Sequence, residues 1–195
     1  MNAQGSQVKE QNMCVNLGGI TLGGELGGYE LVNISAKSLP QPLASAIAEI
    51  NANILGATYE PLWYIGKQLV NGENHFFVCK EIRSTATKKP MIVGLVLNLP
   101  PGEGVTQGKG AHIVKVIESA DLDEEAKCAF EKNVQQLMGV SYRPVAYAGK
   151  QIVRGVNHYI ICEAKTLYPG AEPYAVMIIL NIFKTDSSIV AIERI

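Results

Sequence analysis

The chain has 195 residues, 47% of them hydrophobic, and a formal net charge of −1. With a pI near 6.3 and Lys and Arg dispersed along the chain, no overall field or basic face recommends nucleic acid or an anionic membrane as a partner. The longest apolar runs, such as Ala175 to Leu180, fall far short of the roughly 20 residues needed to span a bilayer.

Residues 1–21 read as a flexible leader. Met1 to Asn12 is polar and lacks the basic-then-apolar pattern of a secretory signal, which points to a cytoplasmic protein, or to a secreted one whose signal has been removed. Beyond the leader, one unit is written twice at a shift of 83 residues. Gly56 to Glu81 and Gly139 to Ala164 are identical at 12 of 26 positions without a gap, against roughly two expected from composition, the mark of an internal duplication. At the same shift Gly27 meets Gly110, Leu39 meets Leu122, Pro90 meets Pro173, and Leu97-Asn98 meets Leu180-Asn181. The copies define two domains, 22–104 and 105–195, each large enough for its own core and each expected to fold alone. Their joint falls within Pro100 to Gly108, where the density of Pro and Gly is expected to continue neither strand nor helix.

In chain order, Tyr29 to Ile34 and His112 to Ile117 are short first strands of the two copies. Ser38-Leu39-Pro40-Gln41 and Asp121-Leu122-Asp123-Glu124 then place a side-chain acceptor three residues before Gln or Glu, the capping-box spacing. Leu43, Ile47, Ile50 and Ile54 make one apolar helical stripe, and Ala126, Phe130, Val134 and Leu137 make the other. Gly56 and Gly139 are expected to stop these helices in the left-handed conformation. The remainder of each copy is β: Tyr59 to Ile65 or Tyr142 to Ala148, a tight turn, then His75 to Ile82 or His158 to Lys165. Met91 to Leu99 follows in the first copy, whose last strand is short or missing, while the second has Tyr174 to Phe183 and Ser188 to Ile195. The fold class is α+β, one helix on an antiparallel sheet, twice.

Of the four cysteines, only Cys79 and Cys162 occupy the same place in the two copies; Cys128 faces Ser45, and Cys14 sits in the leader. A repeated disulfide is therefore not available, and the thiols read as free, in a reducing compartment. His75 and Cys79, like His158 and Cys162, are four apart and share a strand face, a spacing that a nucleophile and base would need. Their neighbours are core-like, no third group orients the pair, and two ligands per copy are too few for a metal, so the chain is read as no enzyme and as holding no cofactor. Trp63 is matched by Ala146, and ordinary strand packing is favoured for it over an exposed contact or a filler at the domain interface.

The turns carry the chemistry. Gln68, Leu69, Val70, Asn71 and Gly72 recur as Gln151, Ile152, Val153, Arg154 and Gly155, followed by Asn74-His75-Phe76 and Asn157-His158-Tyr159. This Gln-x-Val-x-Gly hairpin, downstream of one helix, resembles the cystatin family of cysteine-protease inhibitors, especially its short disulfide-free branch, the stefins. The likeness runs over roughly residues 22–195 and implies two tandem cystatin-like domains, each one helix packed on a curved antiparallel sheet. It also implies a wedge of three segments that binds papain-like cysteine proteases reversibly and in competition with substrate. In the first copy these are the trunk at Leu26, Gly27 and Gly28, with Leu22-Gly23-Gly24 competing for the role, then the hairpin, then Leu99 and Pro100. The second copy reads Asn181-Ile182-Phe183-Lys184-Thr185 where the first has its Leu-Pro, so its wedge is incomplete, and Arg154 favours an acidic cleft. The resemblance further implies monomers that can exchange strand and helix into a swapped dimer by opening the hairpin. The alternative is a non-inhibitory cystatin-like binding, adhesion or assembly module.

Overall fold

A computed structural model of the chain describes residues 15–17, 20–22, 29–35, 38–85 and 89–195, the first three stretches as backbone. Short strands β1 (Val15–Leu17), within the leader, and β2 (Ile20–Leu22), at its end, stand where the sequence reading places none. They are followed by β3 (Tyr29–Ser35), α1 (Gln41–Asn53), β4 (Ala57–Val70), β5 (Gly72–Arg83) and β6 (Met91–Leu99). Next come α2 (Glu103–Gln107), β7 (His112–Ile117), α3 (Glu124–Val134), β8 (Val140–Val153), β9 (Gly155–Thr166), β10 (Tyr174–Phe183) and β11 (Asp186–Arg194). The strands form a two-stranded ribbon β1-β2, a sheet β3-β4-β5-β6-β7 and a sheet β11-β10-β9-β8, and every pairing is antiparallel. The protein is α+β with two antiparallel main sheets. No helix among the described residues is long and apolar enough to cross a membrane.

The duplication is written in the backbone as well as in the residues. β5 runs beside β6 from Glu73↔Leu99 to Glu81↔Met91, and β9 beside β10 from Val156↔Ile182 to Ala164↔Tyr174, the same register moved by 83 residues. The long strands β4 and β8 break register at matching places, Pro61/Trp63 and Tyr64/Gly66 against Pro144/Ala146 and Tyr147/Gly149. Such bulges bend a strand and raise its twist, which is what a sheet wrapped on one helix requires.

Several local expectations change. Ser38 does not cap α1: the N-cap is Pro40, without a side-chain hydrogen bond, and a proline in the first turn has no amide to satisfy. In α3 the cap is Asp123 rather than Asp121, its carboxylate accepting the Ala126 amide at 2.7 Å. Gly56 and Gly139 do have positive φ, but each stands immediately before a strand, while the helices close earlier at Ile54 and Gln135. The joint is not irregular: α2 forms within it once Pro100 and Pro101 have ended β6, with Val105 packed on the core of the first sheet. It lies hard against α1, for a Cβ at Gly108 would meet the Pro42 carbonyl oxygen at 2.0 Å.

The largest departure concerns His112 to Ile117. By repeat register this is the first strand of the second copy, yet β7 pairs with β6, from Gly94↔Ile117 to Asn98↔His112, and supplies the fifth strand that the first copy lacks. Strand pairing thus crosses the joint between 22–104 and 105–195.

Three cores follow. α1 packs through Leu43, Ala46, Ile47 and Ile50 on Phe77, Cys79, Val93, Leu95 and Leu97. α3 packs through Ala126, Ala129 and Phe130 on Ile160, Cys162, Val176, Ile178 and Leu180. The third joins the opposite faces of the two sheets: Ile65, Phe76, Val78, Ile92, Val96 and Ile117 against Val145, Ala146, Ala148, Ile161 and Ala175. The layers therefore run α1, five-stranded sheet, four-stranded sheet, α3. Trp63 packs on this middle core, at the interface between sheets. Polar groups reinforce it, since Arg143 and Glu163 pair at 3.0 Å and together take both backbone groups of Ile92, the carbonyl at 2.9 Å and the amide at 2.7 Å. Lys80 and Glu172 add an ion pair at 2.8 Å.

A shared middle layer should make the chain melt as one unit. Ile161→Ala, a truncation in that layer, is expected to cost about 2–5 kcal/mol and to lower a single cooperative transition. Calorimetry showing two separate transitions, only one of them shifted, would mean that the middle layer does not couple the copies.

Candidate functional site

In the first copy β4 and β5 meet through Asn71 alone, with Val70 paired to Gly72. Gly72 has φ 90°, and a Cβ there would meet the Leu99 carbonyl oxygen at 2.0 Å. Glycine is required twice over: for its left-handed backbone and for the close approach of the hairpin to the end of β6. That approach brings Gln68 to Gly72 together with Leu99 and Pro100. Leu69 and Val70 project from the tip, 78% and 42% exposed. Asn71 is exposed and Pro100 half-buried. Leu99 differs, because its side chain is 1% exposed and packs in the core beneath α1, leaving only its backbone to the edge. The trunk residues Leu26, Gly27 and Gly28 lie outside the described residues, as do Gly23 and Gly24; β3 enters its sheet at Tyr29, opposite Gln68.

The second copy repeats the construction. Val153 pairs with Gly155 through Arg154, Gly155 has φ 90°, and a Cβ on it would meet the Ile182 carbonyl oxygen at 2.4 Å. Ile152 and Val153 are 82% and 44% exposed. The neighbouring turn gives the tip a different chemistry: Arg154 and Lys184 lie 5.3 and 5.5 Å from the centroid of the Phe183 ring, a doubly cationic aromatic contact. Lys184 has φ 58°, the only non-glycine positive φ among the described residues.

Beneath each tip runs a polar row that sequence reasoning did not single out. Asn98 donates to Asn74 Oδ1 at 2.9 Å, and Asn74 reaches Gln68 Oε1 at 3.5 Å. In the second copy Asn181 donates to Asn157 Oδ1 at 2.7 Å, while Gln151 Oε1 accepts from Tyr159 at 3.0 Å. One step further in, Tyr64 and His75 are joined at 2.9 Å through Nδ1, as are Tyr147 and His158. The signal was present, since Gln68, Asn74, Asn98, Tyr64 and His75 all recur unchanged 83 residues on. Interlocked side-chain bonds of this kind hold both hairpins of a copy in one arrangement.

The electrostatics under the first tip is its own. Lys67 and Glu73 pair at 3.1 Å, and Glu73 Oε2 lies 3.2 Å from His75 Nε2. Val156 replaces Glu73 in the second copy. Burial pushes His75 down to about 4, Glu73 opposing and Lys67 assisting, and burial also lowers His158. Cys79 and Cys162 are fully buried and their thiols are pushed up by that burial, the reverse of what a nucleophile needs. Among the described residues no group of three or more His, Cys, Asp and Glu is placed to hold a metal ion. Comparison with protein-family models, with curated proteins and with solved structures finds no match to this chain.

Two outcomes test this construction. Gly72→Ala should be far more damaging than Gly56→Ala, because Gly56 has φ 89° but open space around it, so alanine there costs only about 1–2 kcal/mol of backbone strain. At Gly72 the clash with the Leu99 carbonyl is added, and the melting temperature of the two variants should separate accordingly. The histidines predict acid sensitivity. Both pKa values are depressed in the fold, so the unfolded chain binds protons that the native one refuses, and stability falls as pH drops below about 6.5, for His75 down to about 4. For His75 this loss is on the order of 2–3 kcal/mol, and His75→Gln should flatten that part of the urea-midpoint profile.

Proposed function

We propose that the chain is a reversible, competitive inhibitor of papain-like cysteine proteases, built as two tandem cystatin-like units and acting mainly through the first. The observation that carries this reading is the tip itself: two exposed aliphatic side chains, Leu69 and Val70, on a hairpin locked against Leu99–Pro100 by a glycine that cannot be replaced without collision. Such a tip loses little freedom when it enters a cleft, and the β-branched valine has few rotamers to surrender. In this reading the tip fills the cleft without presenting a peptide bond to the protease nucleophile. Leu26 to Gly28, preceding the strand that starts opposite Gln68, is proposed as the third contact.

A second reading, a non-inhibitory cystatin-like binding or assembly module, draws support from one observation. The buried Leu99 side chain is withheld from the edge, so the end of β6 contributes a proline and backbone only. Titration of active papain separates the two, inhibition by one equivalent of the full chain being expected for the first and none for the second. Val70→Asp should weaken inhibition by about 100-fold or more, since a new carboxylate must be desolvated in the cleft. Equal inhibition by Val70→Asp and the parent chain would show that the tip is not the wedge.

A further inference from the structure

The position of β7 leaves a place in the other sheet. By repeat register His112 to Ile117 corresponds to Tyr29 to Ile34, and that first-copy strand, β3, pairs with β4 from Tyr29↔Gln68 to Ser35↔Trp63. β7 pairs instead with β6, so β8, the counterpart of β4, ends its sheet. The stretch of β8 matching Trp63 to Gln68 is Ala146 to Gln151. A terminal strand carries a row of outward amides and carbonyls that templates strand addition unless something covers it. Alongside β8 runs β1, which is itself paired with β2 from Val15↔Leu22 to Leu17↔Ile20.

We infer that the β1-β2 ribbon supplies a built-in edge strand, β1, docked on β8 along Ala146 to Gln151 where the second copy's own first strand would otherwise sit. Two further observations carry the assignment. Val15-Asn16-Leu17 and Ile20-Thr21-Leu22 both alternate apolar, polar, apolar, the pattern of a strand with one face towards a core. The chain length also suffices: Leu22 and Tyr29 are separated by six residues, which reach about 20 Å when extended, against roughly 10 Å between packed sheets. The N-terminal segment thus ties the edge of the four-stranded sheet to the far edge of the five-stranded one through the Gly-rich stretch between them. It also denies the β8 edge to a second copy of the chain.

Hydrogen exchange of the full-length protein, read amide by amide, tests this. The outward amides of Ala146 to Lys150 are expected to be protected at any protein concentration. Asn16→Pro, which removes a donor inside β1, should speed their exchange at least about tenfold while leaving the amides of β4 and β9 unchanged. Deletion of residues 1–22 should have the same effect by a second route. Unchanged exchange at Ala146 to Lys150 in both variants would overturn the assignment. Protection that rises with protein concentration would overturn it too, since a second copy would then be supplying the strand.

Discussion

A sheet that is apolar on both faces needs a cover on each, and one helix covers only one. In the first copy Phe77, Cys79, Val93, Leu95 and Leu97 turn towards α1, while Phe76, Val78, Ile92 and Val96 turn the other way and are equally removed from water. Each such buried side chain is worth about 1.5–3 kcal/mol, so leaving that second face wet would forfeit a sum comparable to a whole domain's stability. The second copy solves the problem by stacking its own outer face on it. Duplication here is a structural necessity as well as a repetition: the units are each other's fourth wall.

Edges obey the same economy of surfaces. β6 is as apolar as a central strand, with every residue from Ile92 to Leu99 buried, and a strand of that kind is expensive to leave at the margin of a sheet. β7 closes it. The consequence is transmitted along the chain, because a strand used in one sheet is withdrawn from the other, and β8 becomes terminal. The short segment from Glu118 to Ala120 then crosses between sheets, with the Ala120 amide bonded to the Pro144 carbonyl, the Glu118 carbonyl to Arg143, and the Glu118 carboxylate to Arg83 at 2.6 Å.

Because the middle layer and the helices take up the faces, the hairpin tips are left as the parts of each sheet that project. Their rigidity comes from backbone contact rather than from side-chain bulk: Gly72 against Leu99, Gly155 against Ile182, with amide rows beneath. The same scaffold then presents two different surfaces. The first tip has a neutral Asn71 above an internally paired Lys67 and Glu73, and the second has Arg154 and Lys184 flanking an aromatic ring. Partner choice can diverge on such a frame without any change to the fold that supports it.

The sequence by itself determined the repeat, the helices and long hairpins, and the residues of both tips, because these rest on short-range chemistry: helical spacing of apolar residues, turn glycines, and identity at a fixed shift. Tertiary structure decided the rest. His112 to Ile117 has the Ile and Val content of a strand, but such content does not fix which neighbour is joined; the unsatisfied margin of β6 settled that. Leu99 looked like a contact because it precedes Pro100, yet strand parity sends its side chain inward with Leu97 and Leu95, so only the proline reaches the edge. For Trp63 a place at the interface between copies stood behind ordinary strand packing, since the surface it packs against belongs to a core assembled from both copies and exists only after they meet.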